Sequence, residues 1–384
     1  MQKEVFQSVD IAIIGAGPAG CAAALSFRKS GLRVALLDKS TFPRDKICGD
    51  AINGFVPTLL NRLLPELPNA LNAFESKQVI NGFRLISPDF HILEADFTHH
   101  GICATRQDFD NFLFELIPQY SDTQIIENCK VKAINYLSKG IALTTTKGEI
   151  HAKAIIGCDG AHSVVNKQLT NFKIDPKHYC AAVRAYYRDI KGCKENKLEI
   201  FFPKNHLPGY FWVFPYRENE FNVGYGMLSS TISKKSIDIK KAFRDIIENN
   251  EQIAQRFEGA TLLDGVKGFG LPLGSRKVPL SGDRFLLTGD AASLINPLTG
   301  EGIGSAMLSA EIAAKHLIEA FKKNDLSSAF LGEYDKKIHR KFWKTMRVSY
   351  WTQRLLNDRE ALLDFSIKMG AQSSFAKKWL NRMF

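Results

Sequence analysis

The residues of this chain that could do chemistry fall into a few short groups. The first is Gly15-Ala16-Gly17-Pro18-Ala19-Gly20, a GxGxxG run. Its glycines have separate tasks: the first permits a tight turn, the second lets backbone approach a pyrophosphate, and the third lets a helix pack on a strand. The free N–H groups and positive dipole end of a following helix suit phosphate. Asp38, 18 residues after Gly20, stands where a carboxylate would bond a ribose hydroxyl. This chemistry is dinucleotide binding, and by itself it does not separate FAD from NAD. Further groups lie far along the chain: Lys46-Ile47-Cys48-Gly49-Asp50, Cys158-Asp159-Gly160, Gly289-Asp290, and Asn296-Pro297-Leu298-Thr299-Gly300-Glu301-Gly302-Ile303.

The elements needed to position these groups can be read from the pattern. Residues 9–14 form an apolar run suited to a buried parallel strand. Residues 21–29 are Ala-rich with helical spacing and stop at Gly31, a C-cap. Residues 33–37 give a second strand ended by Asp38, completing a βαβ unit. A helix is expected over 108–116, and strands over 124–135, 141–146, 149–153 and 154–157. Residues 179–188, 197–202, 210–215 and 220–227 are aromatic and β-branched, which predicts an antiparallel sheet. A helix over 236–249, a strand over 283–288, a helix over 301–321 and an almost wholly helical stretch over 326–384 follow. The fold class is therefore α/β: a Rossmann-type nucleotide domain (1–75, 101–175 and 270–320) interleaved with an antiparallel-sheet substrate domain (76–100 and 176–269), and a helical tail (321–384).

Composition narrows the function. With 384 residues, 45% apolar and 24% charged, the chain is long enough for two or three globular domains and has no disordered signature. Its seven cysteines include no CxxC pair, so neither a disulfide framework nor a metal site is suggested. His99 and His100 lack partners at metal-ligand spacing and read as polar surface. No nucleic-acid module is evident. No leader or membrane-spanning segment is apparent, and a cytoplasmic setting is expected. The run Gly268-Phe269-Gly270-Leu271-Pro272-Leu273-Gly274 fails as a second nucleotide fingerprint, because Pro272 interrupts it and no helix follows.

The separated groups together resemble the flavoproteins of the p-hydroxybenzoate hydroxylase fold. Cys158-Asp159-Gly160-Ala161-His162-Ser163 is similar to their DG motif, and Gly289-Asp290-Ala291-Ala292 with Asn296 to Ile303 is similar to their second FAD motif. Arg106 matches the arginine that opens a helix in those proteins. The resemblance implies non-covalent FAD held by Gly15, Gly17, Pro18, Ala19, Gly20, Asp38, Lys39, Arg44, Cys48, Gly49, Arg106, Asp159, Gly160, Gly289, Asp290, Pro297, Gly300, Gly302 and Ile303. In that setting Asp290 would accept from a ribityl hydroxyl, Gly300 and Gly302 would leave room for a flat ring, and the helix from Glu301 would aim its dipole there. Against this, Asp290 could be a plain helix cap and Asp159 a turn aspartate. Asn166 stands where the family usually has arginine, which weakens any inference about nicotinamide docking. The electron donor is expected to be NAD(P)H, bound transiently, or a reduced protein carrier.

Two motifs select a branch. Lys46-Ile47-Cys48-Gly49, and Gly209-Tyr210-Phe211-Trp212-Val213-Phe214-Pro215 with Asn222-Val223-Gly224, resemble the signatures of geranylgeranyl reductases. That resemblance implies reduction of C=C bonds in an isoprenoid or lipid-like substrate. On a strand, Tyr210, Trp212 and Phe214 share one face, either as the wall of an apolar pocket or as ordinary sheet core. Cys48, Tyr210 and Trp212 are the candidate catalytic and cavity residues, with Cys48 and Tyr210 the available proton donors; Cys48 can equally be a small buried residue. The alternatives are an FAD monooxygenase of an aromatic or polyketide-like compound and a non-enzymatic flavin-binding, membrane-surface protein. Halogenation is disfavoured, since no WxWxIP segment occurs.

The formal charge of +11 is not spread evenly. Residues 321–384 hold 14 basic and 6 acidic side chains, so the remaining residues carry only 37 basic against 34 acidic. The excess lies in the helical tail, among Phe342, Trp343, Tyr350, Trp351, Phe365 and Trp379. That pattern fits either a solvated cap or a peripheral contact with an anionic membrane.

Overall fold

The computed structural model describes residues 5–356 and 359–373. Its first elements are β1 (Val5–Ile14), α1 (Pro18–Ser26), β2 (Val34–Leu37), β3 (Ala51–Ile52), α2 (Phe55–Leu63), β4 (Gln78–Ile86) and β5 (Ile92–Cys103). There follow α3 (Arg106–Tyr120), β6 (Gln124–Ile126), β7 (Val131–Leu137), β8 (Gly140–Thr145), β9 (Gly148–Gly157) and α4 (Val164–Leu169). The middle is β10 (Tyr179–Arg188), β11 (Lys197–Phe201), β12 (Tyr210–Arg217), β13 (Glu220–Leu228), α5 (Ser229–Lys235), α6 (Ile239–Asn249) and α7 (Glu251–Phe257). The last are β14 (Thr261–Leu262), β15 (Lys267–Pro272), β16 (Ser281–Gly282), β17 (Phe285–Leu287), α8 (Ile303–Lys322), α9 (Ser328–Leu356) and α10 (Glu360–Gln372).

The first sheet has the order β16-β17-β9-β1-β2-β6. Its strands β17, β9, β1, β2 and β6 run parallel. Residues 9–14 of β1 are buried throughout, as a parallel strand covered on both faces must be. Helix α1 is buried almost all round and packs on α3 and α8, which explains its lack of a polar face.

The second sheet has the order β14-β10-β13-β12-β11-β4-β5-β3, with β15 also on β10. It is antiparallel except for one pair: β11 runs parallel to β4, from Lys197 beside Gly82 to Phe201 beside Ile86. The expectation of a wholly antiparallel sheet is corrected there. One whole segment of the nucleotide domain, residues 101–175, lies between the two strands in sequence, so no hairpin fixes their relative direction.

Strand β12 shows the period-2 pattern directly. Phe211 and Val213 face a core closed by Phe243 and Ile246 of α6. Trp212, Phe214 and Tyr216 face the other way, toward Leu363 and Ile367 of α10. The second side of the sheet is thus covered by the C-terminal helices.

Local differences from the sequence reading have backbone causes. Residues 124–135 are two strands, because Asn128 turns the chain with φ 51°; β6 joins β2 and β7 joins β8. Residues 236–249 begin helical only at Ile239, since Ser236 ends α5 in the left-handed region and Asp238 caps α6. Helix α2, not anticipated, is amphipathic and buries Val56, Leu59, Leu60 and Leu63. Trp379 and the rest of 374–384 lie outside the described residues.

Candidate active site

The glycine loop is built by close approaches. Gly15 has φ 100°, and a Cβ there would lie 2.5 Å from the Cys158 carbonyl oxygen. A Cβ on Gly20 would lie 1.8 Å from the Gly15 carbonyl oxygen, so only glycine lets α1 start on this turn. Gly17 is the N-cap residue of α1 and no side chain caps that end. The space a Cβ on Gly17 would occupy is 3.5 Å from Arg44 Nη2 and 3.9 Å from Arg106 Nη2.

Those two guanidiniums share one carboxylate. Arg106 donates from Nε and Nη2 to the two oxygens of Asp110 at 2.7 and 2.8 Å, and Arg44 Nη1 lies 2.9 Å from Asp110 Oδ2. Asp110 is fully buried. The trio carries one net positive charge, beside an uncapped helix N-terminus, which is an anion site of pyrophosphate type.

The second nucleotide-facing group is acidic. Asp38 accepts from Ala16 N and Ser40 N, both at 2.8 Å, so it braces the glycine loop while keeping lone pairs free. Asp159 Oδ2 accepts from Val164 N at 2.6 Å, whereas its Oδ1 is buried without a partner. Asp290 lies in a 3-10 turn, Gly289–Ala292, rather than at an α-helix cap. Its carboxylate meets no hydrogen-bond donor among the described residues. Burial pushes the Asp159 and Asp290 carboxyls above the ordinary range, opposed at Asp290 by Lys46 and Arg106. Acceptors lacking donors, next to an anion cradle, fit the hydroxyls and pyrophosphate of FAD.

Asn166 has a role of its own. Its Nδ2 donates to Ala291 O at 2.8 Å, tying the Asp159 turn to the Asp290 turn. At α8 the expectation needs correction. The helix starts at Ile303, and Glu301 Oε1 already accepts from Gly304 N at 2.7 Å. The dipole end facing the cavity is therefore partly capped, which burial of the Glu301 carboxyl, raised above its usual range, makes less negative.

The substrate side is joined to this cradle by hydrogen bonds. Tyr210 Oη donates to Thr299 O at 3.0 Å. Trp212 Nε1 donates to Asn222 Oδ1 at 2.9 Å. Asn222 Nδ2 in turn lies 2.8 Å from both Cys48 O and Asp50 Oδ2. Asp50 also accepts from Tyr186 Oη at 2.6 Å. Cys48 is half-buried and lines the same cavity as Arg106. A Cβ on Gly49 would sit 3.6 Å from Trp212 Nε1 and from Phe214, so the loop presses flat on the aromatic wall.

These parts enclose one cavity of about 890 Å³, near the top of the range for ligand sites of about 300–1,000 Å³. It runs from the glycine loop past Cys48 to Leu356, Leu363 and Ile367 of α9 and α10. Every cofactor residue expected from sequence lines it except Gly20, which acts through packing. Tyr210, Trp212 and Phe214 line it too, so the aromatic stripe is cavity wall rather than closed core. Lys39 is exposed at the rim. His99 and His100 are exposed, and no metal-binding cluster occurs among the described residues. Sequence reasoning missed Asp50, Tyr186 and the capping Glu301. Asp50 carried a signal as the residue directly after the Cys48-Gly49 pair, and Glu301 as a member of the Asn296 to Ile303 motif; Tyr186 carried none.

Comparison with known proteins agrees with this geometry. The profile of the FAD-binding domain family matches residues 8–349. A menaquinone reductase of Mycobacterium tuberculosis is 30% identical over 327 residues, covering 82% of this chain and 77% of that protein. A digeranylgeranylglycerophospholipid reductase of Methanococcus aeolicus is 27% identical over 354 residues, covering 90% and 86%. A geranylgeranyl bacteriochlorophyll reductase-like structure from Thermoplasma acidophilum superposes with TM-score 0.81 at 22% identity, covering 97% of this chain and 95% of that one. Halogenase PltM in complex with phloroglucinol and FAD shares the fold, with TM-score 0.77 at 18% identity, covering 98% and 83%.

Proposed function

Because the chain belongs to the FAD-binding domain family, in its geranylgeranyl reductase-like branch of oxidoreductases, we propose that it reduces C=C bonds of a polyprenyl chain carried by a lipid or quinone. It is an FAD-dependent oxidoreductase. The observation that carries it is the shape of the cavity. From Cys48 and Gly49 the cavity continues along Tyr210, Trp212 and Phe214 to the apolar side chains of α10. A long, flexible, apolar chain fits that wall, and the names of the relatives point to prenylated lipids and quinones.

When bound and reduced, FAD supplies a hydride to one alkene carbon. The other carbon needs a proton. Tyr210 already directs its hydroxyl proton to Thr299 O, which makes it a positioning group between the flavin loop and the wall. Cys48 Sγ, on the cavity wall, remains as the donor. Trp212 holds the Cys48 loop through Asn222. Among the described residues there is one glycine fingerprint after a parallel strand, so a donor such as NAD(P)H would dock transiently at the cavity.

Anaerobic mixing of the chemically reduced holoenzyme with geranylgeranyl compounds tests this. Reoxidation of the flavin with a saturated product is expected, and Cys48→Ala should slow that step while keeping the flavin. No reoxidation with prenyl lipids or prenyl quinones, or product formation only with oxygen uptake, would overturn the reading in favour of a monooxygenase.

A further inference from the structure

The outer side of α9 and α10 is unlike the rest of the surface. Large apolar side chains exposed among the described residues concentrate there: Val348, Trp351 and Leu355 on α9, and Leu362, Phe365 and Met369 on α10. Each set is spaced by three and then four residues, so each forms one stripe along its helix. Trp351 is 62% exposed and Phe365 59%, which a solvated cap has no reason to keep.

Among the described residues the exposed charges beside the stripes are of one sign. Lys344 is one turn before Val348 on the same stripe, Arg347 and Arg354 flank it, and Lys368 flanks the second. All four are exposed, and none has an ion-pair partner among the described residues. The nearby acids are turned inward instead: Glu360 accepts from Asn205 N, and Asp364 meets His91 Nδ1 at 3.0 Å.

The same helices wall the cavity. Leu356, Leu363 and Ile367 line it from inside, and Leu355 both lines it and is 53% exposed. Apolar surface is therefore continuous from the outer stripes to the substrate wall. No helix of the described residues is long and apolar enough to cross a membrane, so a bilayer contact of these stripes would run along its surface.

We propose that this face of α9 and α10 docks on an anionic lipid bilayer, seating Trp351 and Phe365 among the acyl chains and the basic side chains against the headgroups. The cavity mouth beside Leu355 would then open toward the lipid, and a prenyl chain could slide in without crossing water. That purpose rests on the prenyl-lipid reading, whereas the docking itself is read from the surface.

The test is co-sedimentation of the full-length holoenzyme with vesicles of phosphatidylcholine alone or with added phosphatidylglycerol. Binding is expected only with the anionic lipid, falling as salt rises. Arg347→Gln with Arg354→Gln should weaken it about 30-fold, at about 1 kcal/mol per basic side chain near the surface. Trp351→Ser with Phe365→Ser should abolish it. Both variants should keep their flavin absorbance and reoxidise normally with a detergent-dispersed substrate, since none of these side chains lies in the cofactor cradle. Equal binding to both vesicle types, or no binding to either, overturns the proposal. So does a vesicle-free dimer that dissociates in the Trp351→Ser, Phe365→Ser variant, because the face would then be a subunit interface. Failure of the substrate reading alone would leave the vesicle result unchanged.

Discussion

Asp50→Asn removes the one carboxyl buried in the wall between the Cys48 loop and the aromatic strand. Asp50 is fully buried; Oδ2 takes hydrogen bonds from Tyr186 and Asn222, and Oδ1 has no partner. Burial pushes the carboxyl from its ordinary 3.8 up to about 6, against the pull of those two hydrogen bonds and of Arg184 and Arg106. The folded state thus holds a proton that the unfolded chain has already lost between about pH 4 and pH 6. Stability linked to this group is complete below about pH 4 and is lost as pH rises through about 6. At about 1.4 kcal/mol per pH unit, a rise of some two units is worth about 3 kcal/mol. Asparagine cannot ionise. It can keep an oxygen toward Tyr186 and Asn222, and the penalty for its unpartnered N–H groups is independent of pH. Urea unfolding of the FAD-saturated wild type and variant should therefore show midpoints that converge or cross, with their difference moving against the wild type by about 1 M between pH 4 and pH 7, taking m near 3 kcal/mol per M. Other titrating groups cancel in the difference. Parallel midpoint profiles for the two proteins would refute the assignment of a raised, buried carboxyl at this position.

Two glycine substitutions separate the cofactor side from the substrate side. Gly20→Ala places a methyl 1.8 Å from the Gly15 carbonyl oxygen, where neither backbone can yield; the protein should purify without yellow colour and fail to take up FAD, as read by absorbance. Gly224→Ala places a methyl 2.1 Å from the Trp212 ring, so the indole must leave Asn222. That overpacking should lower stability by about 1–3 kcal/mol and raise KM for a prenyl substrate while FAD affinity, measured by fluorescence titration, is unchanged.

What was legible in the sequence was what depends on neighbours in the chain. The βαβ unit, its glycine turn and Asp38 follow from local period and spacing, and the period-2 alternation of Tyr210, Trp212 and Phe214 placed them on one face. What escaped depends on distant partners. Asp50 gives no sign in sequence that Tyr186 and Asn222 will hold it, because those residues lie on β10 and β13. The parallel pairing of β11 with β4 is set by how the two sheets close together, not by the composition of either strand. Glu301 reads as part of a motif, yet its contact with Gly304 decides how much of the α8 dipole reaches the cavity. Asn166 looked like a missing arginine. In the fold it is a clamp between two cofactor turns.

The separate motifs converge on a single junction. Cys48 sits on the loop after β2, Asn222 on β13, and Thr299 on the loop before α8, so three distant segments must arrive together for the cavity to form. Asn222 binds the carbonyl of Cys48, the carboxyl of Asp50 and the indole of Trp212 at once. Tyr210 reaches Thr299 on the flavin side. With both links in place, the Cys48 sulfur, the flat loop at Gly49 and the aromatic wall keep a fixed spacing, which the proposed addition of hydride and proton to two adjacent carbons of one alkene would require. Under the proposed reduction Asn222 would be a positioning residue, and the motif that contains it would specify geometry more than chemistry: the reacting groups would belong to Cys48 and to the cofactor, while strand β13 sets the distance between the Cys48 loop and the wall.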